Sequence, residues 1–392
     1  MQYNKDNPLK VFTTFSGYDS QCLAFNKANI PYELIGWSDI EKRAIDAHNI
    51  LFPEAKDKNY GDIRKIDWEH VPDFDFFTYS SPCQSFSISG LKTGGEEGSG
   101  TQSSLLWECK KAITIKKPKY LMMENVKNLV GSKFLPTFNK WLEFLSSLGY
   151  TSYWKVLNGA DYGIPQARER VFVISILNPK HVFIWSKPHK LKTCINDFLQ
   201  KPNQIPKECY VNQNIIDDYV ENNPQILKFA GETFDDIIQD NKIIKGKDVL
   251  NAKSGKQTNY VNKVVKEFDE LLEENLFGET SEELNMFNQI IQIGNVRGDR
   301  KTFANPQSTR IYSPKGLAPT LTLCDSHYML VKENGNYKIR ELTGVERMRL
   351  MGVENSDIQK LVDNGFSNGQ LNKLAGNSII VDVMSEFYKN LF

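Results

Sequence analysis

Several things are missing from this chain, and each absence narrows what it can be. It carries no net charge, since 48 lysines and arginines balance 48 acids over 392 residues. It has no apolar run near the roughly 20 residues that cross a bilayer, so no membrane partner is expected. The start, Met1–Asn7, lacks the charged-then-apolar plan of an export signal. There is no Cys-x-x-C pair. The six cysteines (Cys22, Cys83, Cys109, Cys194, Cys209 and Cys324) are scattered, so neither a metal site nor a disulfide framework is expected, and a reducing cytoplasm fits best. The five histidines, His48, His70, His181, His189 and His327, sit in no recognisable motif, which argues against a thiol hydrolase that needs an activating imidazole. Zero net charge leaves a nucleic-acid partner open, because such binding needs a local basic surface and not a basic average. One candidate surface runs from Lys245 to Lys266, with six lysines against the single acid Asp248. A solvated helix face is its plainer reading.

What is present is an apolar content of 40%, enough for one large domain and a smaller second one. Short apolar runs at Val11–Phe15, Glu33–Trp37, Phe74–Tyr79, Tyr120–Met123, Ser152–Leu157 and Val171–Leu177 read as strands. Helical patterns fall at Gln21–Lys27, Lys42–Asn49, Leu105–Lys116 and Phe134–Leu148. This alternation predicts an α/β fold, a doubly wound and mostly parallel sheet covered on both faces. Ligands of such sheets bind beyond the carboxyl ends of the strands. From Asn178 to about Tyr312 the chain turns polar and loses the alternation, which marks a separate module. Regular patterning returns at Ile339–Met351 and Gln370–Leu391; the latter reads as an amphipathic helix with Ile379, Ile380, Val383, Met384 and Phe387 on one side.

Three chemical groups lie at strand ends. Pro82-Cys83-Gln84 follows one apolar run and opens a loop rich in Gly and Ser. Glu124-Asn125-Val126 closes a second run. Arg168 and Arg170 precede a third and imply that its strand runs antiparallel to the others. Singly, a buried cysteine is usually inert, an acid after a strand usually caps a helix, and Arg-x-Arg is usually surface charge. Their shared order sets the plain readings aside.

In that order the chain resembles the DNA (cytosine-5)-methyltransferases of bacterial or phage modification type. The resemblance rests on Phe15-Ser16-Gly17, Gly61-Asp62-Ile63, Pro82-Cys83-Gln84-Ser85-Phe86-Ser87, Glu124-Asn125-Val126, Gln166-x-Arg168-x-Arg170, Arg340-Glu341-Leu342-Thr343 with Arg349-Leu350-Met351-Gly352, and Gly376-Asn377-Ser378. It implies a Rossmann-like methyltransferase sheet with a target-recognition domain, S-adenosylmethionine as methyl donor, S-adenosylhomocysteine as product, and double-stranded DNA as substrate. The chemistry explains the residue set. Carbon 5 of cytosine is a poor nucleophile until a thiolate, here Cys83, adds to carbon 6. Glu124 beside N3 would relieve the charge that this addition creates. Arg170, with Arg168 behind it, would hold O2 and orient Glu124.

The same resemblance assigns the donor pocket to Phe15, Ser16, Gly17, Asp39, Ile40, Asp62, Ile63, Pro82, Leu105, Asn377 and Ser378. Asp39 suits a ribose hydroxyl, Asp62 the adenine amino group, and Ile40 and Ile63 the adenine ring. The usual pattern has further glycines after Gly17, where this chain has Tyr18-Asp19-Ser20. Ser87, Ser89 and Lys92 are expected on phosphates, in a glycine-rich lid from Ser85 to Thr101 that closes behind an extruded base. The expected domains are 1–190 (catalytic and donor-binding), 191–359 (target recognition and its supporting motif), and 360–392 (a terminal helix returning to the first domain). Thr320-Leu321-Thr322 and the Arg340–Gly352 motif are expected to support the recognition module. The expected protein is a monomer in a bacterial or phage-infected cytoplasm, compatible with a cognate restriction endonuclease. A tRNA cytosine-5-methyltransferase and a catalytically silent DNA-binding protein remain as alternatives.

Overall fold

The computed structural model describes residues 3–82, 102–180, 182–211, 289–290, 292–295, 310–323 and 326–392. In chain order it contains β1 (Leu9–Thr14), α1 (Ser20–Ala28), β2 (Tyr32–Ser38), α2 (Lys42–Leu51), β3 (Phe76–Tyr79), α3 (Cys109–Lys116), β4 (Tyr120–Val126), α4 (Leu135–Ser147), β5 (Tyr150–Asn158), β6 (Gln166–Ala167) and β7 (Glu169–Leu177). It continues with β8 (Gln292–Asn295), β9 (Arg310–Tyr312), β10 (Ala318–Pro319), β11 (Tyr328–Glu333), β12 (Asn336–Glu341), α5 (Gly344–Arg349), α6 (Asn355–Asp363), α7 (Asn368–Gly376) and α8 (Val381–Leu391).

The main sheet has the order β2-β1-β3-β4-β7-β5. Strands β2, β1, β3 and β4 are parallel, and β7 runs antiparallel to both β4 and β5. The alternation and the two arginines therefore foretold both features. Every residue of β3 is buried, as a strand covered on both faces requires. Alternate side chains sort to two cores. Val11, Phe76, Met122, Phe172 and Ile174 pack toward α1 and α8. Phe12, Phe77, Tyr79, Leu121, Met123 and Val173 pack toward α3 and α4, against Ile113, Phe138 and Trp141. The chain order reverses at β1, so the crevice beyond the carboxyl ends of β1 and β3 is the switch point where such sheets take ligands.

The terminal helix α8 lies against α1. Phe25 and Tyr388 stack with ring centroids 4.3 Å apart, and Tyr388 meets Phe76 edge-on at 5.6 Å. Each such pair adds about 0.5–1.5 kcal/mol beyond its buried area. The pattern at Gln370–Leu391 is not one helix, however. Helix α7 ends at Gly376 and α8 starts at Val381, leaving Ile379 and Ile380 in the connection. At the end of α7 a Cβ on Gly376 would sit 2.9 Å from the Thr322 carbonyl carbon, so the backbones pass too close there for any side chain.

A second sheet has the order β12-β11-β9-β8. Its β11–β12 hairpin turns at Asn334-Gly335, both with positive φ (51° and 79°), as a tight two-residue turn demands. Arg340 of β12 is 1% exposed and forks onto Glu346 of α5 with two 2.8 Å bonds. Thr343 and Glu346 close a capping box at the start of α5. The Arg340–Gly352 motif thus holds a hairpin to a helix.

Candidate active site

Glu124 and Arg170 face each other across neighbouring strands. Glu124 is paired with Phe172, and Val126 with Arg170, so the acid and the guanidinium sit diagonally on one face of the sheet. Glu124 Oε1 is 3.2 Å from Arg170 Nε. Glu124 is only 7% exposed. Burial raises its pKa above the ordinary value, and the opposing pull of Arg170, Arg168 and Ser80 does not cancel that rise. A carboxyl held this way keeps a proton more readily than a solvated one and has a cation beside it to stabilise the form left after donation. Sequence spacing placed the acid after its strand; it lies within β4, at the same edge as the carboxyl ends of β1 and β3.

Arg168 is placed differently from Arg170. It is 5% exposed, and its guanidinium donates to three backbone carbonyls: Leu321 at 2.9 Å, Gly376 at 3.3 Å and Ser378 at 2.6 Å. Gln166, fully buried, donates to Leu350 O at 2.8 Å and accepts from Leu321 N. Thr320 donates to Ala167 O at 2.6 Å, and β6 pairs with β10. The Gln-x-Arg-x-Arg segment is therefore the knot that ties three distant stretches together. Only Arg170 faces the acid from within it.

Asn125 supplies a role that sequence reasoning left blank. It is 2% exposed, and its amide donates to the Ser81 carbonyl at 3.2 Å and lies 3.4 Å from the Ser81 hydroxyl. It therefore anchors the chain immediately before Pro82 to β4. Cys83 lies outside the described residues, as do Ser87, Ser89, Lys92, the five glycines of the expected lid, Cys324 and the Lys245–Lys266 surface. Cys22, Cys109, Cys194 and Cys209 are buried free thiols. Burial pushes all four up, to about 11 at Cys194 and Cys209, which leaves them protonated and inert at neutral pH.

At the β1 end of the edge, three loops are stitched together. Phe15, Gly17 and Asp19 all have positive φ (51°, 59° and 65°), so the turn after β1 is coiled tightly. Gly17 N–H donates to Asp39 Oδ2 at 2.8 Å, and Ser16 N–H to Ser38 O at 3.3 Å. Ser38 Oγ donates to Gly61 O at 2.6 Å, and Asn59 bridges Asp39 and Gly61. A Cβ on Gly17 or Gly61 would meet nothing within 4 Å, so both glycines border open space. Ile40 is 69% exposed beside them. Ser378 donates to Tyr18 Oη at 2.6 Å, which brings the α7–α8 connection, with exposed Asn377, to the same turn. Pro82 and Leu105 are half-buried. Two expected contacts sit less simply. Ile63 is 5% exposed within the apolar core, and the Asp62 carboxylate is already taken by Arg64, whose Nε and Nη2 approach to 2.9 and 2.6 Å. An open edge with tight glycine turns and a half-buried acid, Asp39, after β2 fits a nucleoside-bearing donor.

The fold is that of methyltransferases. The structure superposes on S. pombe Dnmt2 methyltransferase with a TM-score of 0.60 at 16% identity, covering 97% of each chain. It superposes on the Entamoeba histolytica methyltransferase EhMeth with a TM-score of 0.63 at 16% identity, covering 98% of each. The chain belongs to the C-5 cytosine-specific DNA methylase family, whose profile matches residues 9–392, and is thereby a DNA (cytosine-5)-methyltransferase. It is 35% identical to the type II methyltransferase M2.ScrFI of Lactococcus lactis subsp. cremoris, over 98% of this chain and 99% of that one. It is 27% identical to the orphan methyltransferase M.SPRI of Bacillus phage SPR, over 98% and 97% respectively. No helix among the described residues is long and apolar enough to cross a membrane.

Proposed function

We propose that this enzyme methylates carbon 5 of a cytosine extruded from a specific duplex DNA site, through a temporary bond between Cys83 and carbon 6. The observation that carries the reading is the buried Glu124–Arg170 pair, at the edge where Asn125 anchors the chain that enters Cys83. Extrusion costs a few kcal/mol and exposes the ring to attack. The Cys83 thiolate adds to carbon 6, and charge moves to N3 and O2. Glu124 gives its proton to N3, and Arg170 balances the charge on O2 and on the carboxylate left behind. Carbon 5, now nucleophilic, takes the methyl group. Loss of the carbon 5 proton to a base expels Cys83, and return of the N3 proton to Glu124 restores the ring and the acid. S-adenosylmethionine, when bound, supplies the electrophilic methyl group and leaves as S-adenosylhomocysteine.

Phe15, Ser16, Gly17, Asp39, Ile40, Pro82, Leu105, Asn377 and Ser378 would hold that donor, while Asp62 and Ile63 contribute through the loops they brace. Arg168 acts by positioning. Ser87, Ser89 and Lys92 would hold phosphates, and the module between 191 and 359 would read the bases. The type II relative supports a cognate restriction endonuclease, and the enzyme acts as a cytoplasmic monomer. The test is transfer of labelled methyl from S-adenosylmethionine to duplex DNA and to tRNA, followed by bisulfite sequencing. Incorporation into duplex DNA at one cytosine of a fixed site is expected. Incorporation into tRNA alone, or site binding with no incorporation, would overturn the reading.

A further inference from the structure

The turn after β1 holds an aspartate where its backbone needs only a residue tolerant of positive φ. Asp19 has φ 65° and ψ 54° and is completely buried. Glycine would adopt that backbone without strain and without a charge to bury. What the aspartate adds is a set of links. Its Oδ1 accepts from Cys22 N–H at 3.3 Å and so caps α1. Its Oδ2 accepts from Thr13 Oγ1 at 2.9 Å and lies 3.3 Å from His48 Nε2. The His48 ring is fully buried and stacks on Trp37 at 3.6 Å, and the Trp37 indole N–H donates to Ala55 O at 2.8 Å. On the other side, with its own proton on Asp19, Thr13 Oγ1 accepts from Ser16 Oγ at 2.9 Å, and the Ser16 backbone N–H donates to Ser38 O at 3.3 Å. One buried carboxylate therefore joins β1, the turn, α1 and α2, and through Ser16 it reaches the end of β2.

We propose that Asp19 is a positioning residue for the methyl donor: its carboxylate, capping α1 and linked through Thr13 to Ser16, fixes the Phe15–Gly17 turn in the shape the donor requires. This rests on the reading of that turn as the donor site. Its logic is preorganisation, since a turn already set before binding has less freedom left to lose. The inference concerns affinity for the donor alone. Asp19 touches neither the acid–guanidinium pair nor any residue expected on DNA.

The test compares the full-length wild type with Asp19→Asn and Thr13→Val. Asparagine keeps the shape, the cap and the tolerance of positive φ, and loses the charge facing His48. Valine removes only the hydroxyl that passes the constraint to Ser16. Binding of S-adenosylmethionine is read by titration calorimetry without DNA, beside the thermal unfolding midpoint and the separate KM values for donor and DNA. Asp19→Asn is expected to weaken donor binding about tenfold, equivalent to about 1.4 kcal/mol, and Thr13→Val to weaken it in the same direction. The donor KM should rise in step while the DNA KM stays put. Donor binding unchanged in either folded variant overturns the proposal. So does a parallel loss across donor KM, DNA KM and unfolding midpoint, which marks a purely structural residue. Failure of the wild type itself to bind the donor would instead overturn the underlying reading of the turn.

Discussion

Arg168→Ala separates holding the site together from performing the chemistry. In the structure, the Arg168 guanidinium satisfies the carbonyls of Leu321 and Ser378 in buried settings and that of Gly376 in a part-buried one. Alanine leaves the first two without a donor and out of reach of water, at about 1–3 kcal/mol each, while the third can be rehydrated. With the lost packing of the side-chain stem, the expected cost is about 3–5 kcal/mol, a large fraction of the 5–15 kcal/mol typical of folded proteins. Arg168→Lys keeps one strong bond and the stem, so it should lose about 1–3 kcal/mol. Urea unfolding at neutral pH measures both. The Ser378 carbonyl belongs to the connection that meets Tyr18, so donor affinity should fall together with stability. The reasoning fails if Arg168→Ala unfolds within about 0.5 kcal/mol of wild type, which is the ordinary range for a surface change. A rate collapse in such a stable variant would return Arg168 to a direct role on the substrate.

Arg170→Ala should do the reverse, lowering the single-turnover methylation rate about 10²–10³-fold with a smaller effect on stability than Arg168→Ala. Glu124→Gln should lose about 10²–10⁴-fold in rate, because glutamine cannot deliver a proton. Its stability carries a sign that the pKa fixes. The Glu124 pKa is raised in the fold from an ordinary 4.5, so the unfolded chain ionises first as pH rises. The stability due to this group is fully present below about pH 4.5 and is lost as pH climbs through the raised value. Glutamine does not titrate, so the variant should gain on wild type with rising pH; a difference flat from pH 4 to 8 would contradict the burial argument. Asn125→Ala should slow transfer by loosening the Ser81–Pro82 anchor while leaving donor binding intact, as parallel rate and calorimetric measurements would show.

Much of the fold was legible because buried strands leave long apolar signatures. Phe76–Tyr79 and Tyr120–Met123 could hardly be anything else, and two arginines ahead of Val171 gave away the reversed strand. The second sheet was harder to see. Its strands are short and half-polar, as in Asn336–Glu341, and its one strong local signal is Asn334-Gly335 between two strand-like runs. The apolar stripe at Gln370–Leu391 does not mark the helix boundary, since Ile379 and Ile380 continue it through the α7–α8 connection. At the site, the chemistry of the motifs put Glu124 and Arg170 together, and the two side chains meet at 3.2 Å. Arg168 could not be told from Arg170, because its partners are backbone carbonyls 153–210 residues away, which carry no side-chain signature. Asp19 was visible only as an odd residue in a turn, since His48 and Thr13 become its neighbours only after β1, β2 and the two helices have packed.

The most direct measurement is peptide mapping of a covalent adduct. A duplex carrying 5-fluorocytosine at the methylated position, incubated with enzyme and S-adenosylmethionine, should trap a stable complex, because fluorine cannot leave carbon 5 as a proton does. Digestion and mass spectrometry should place the modified base on Cys83. A crosslink to one of the buried thiols, or full methyl transfer by Cys83→Ala, would contradict the account.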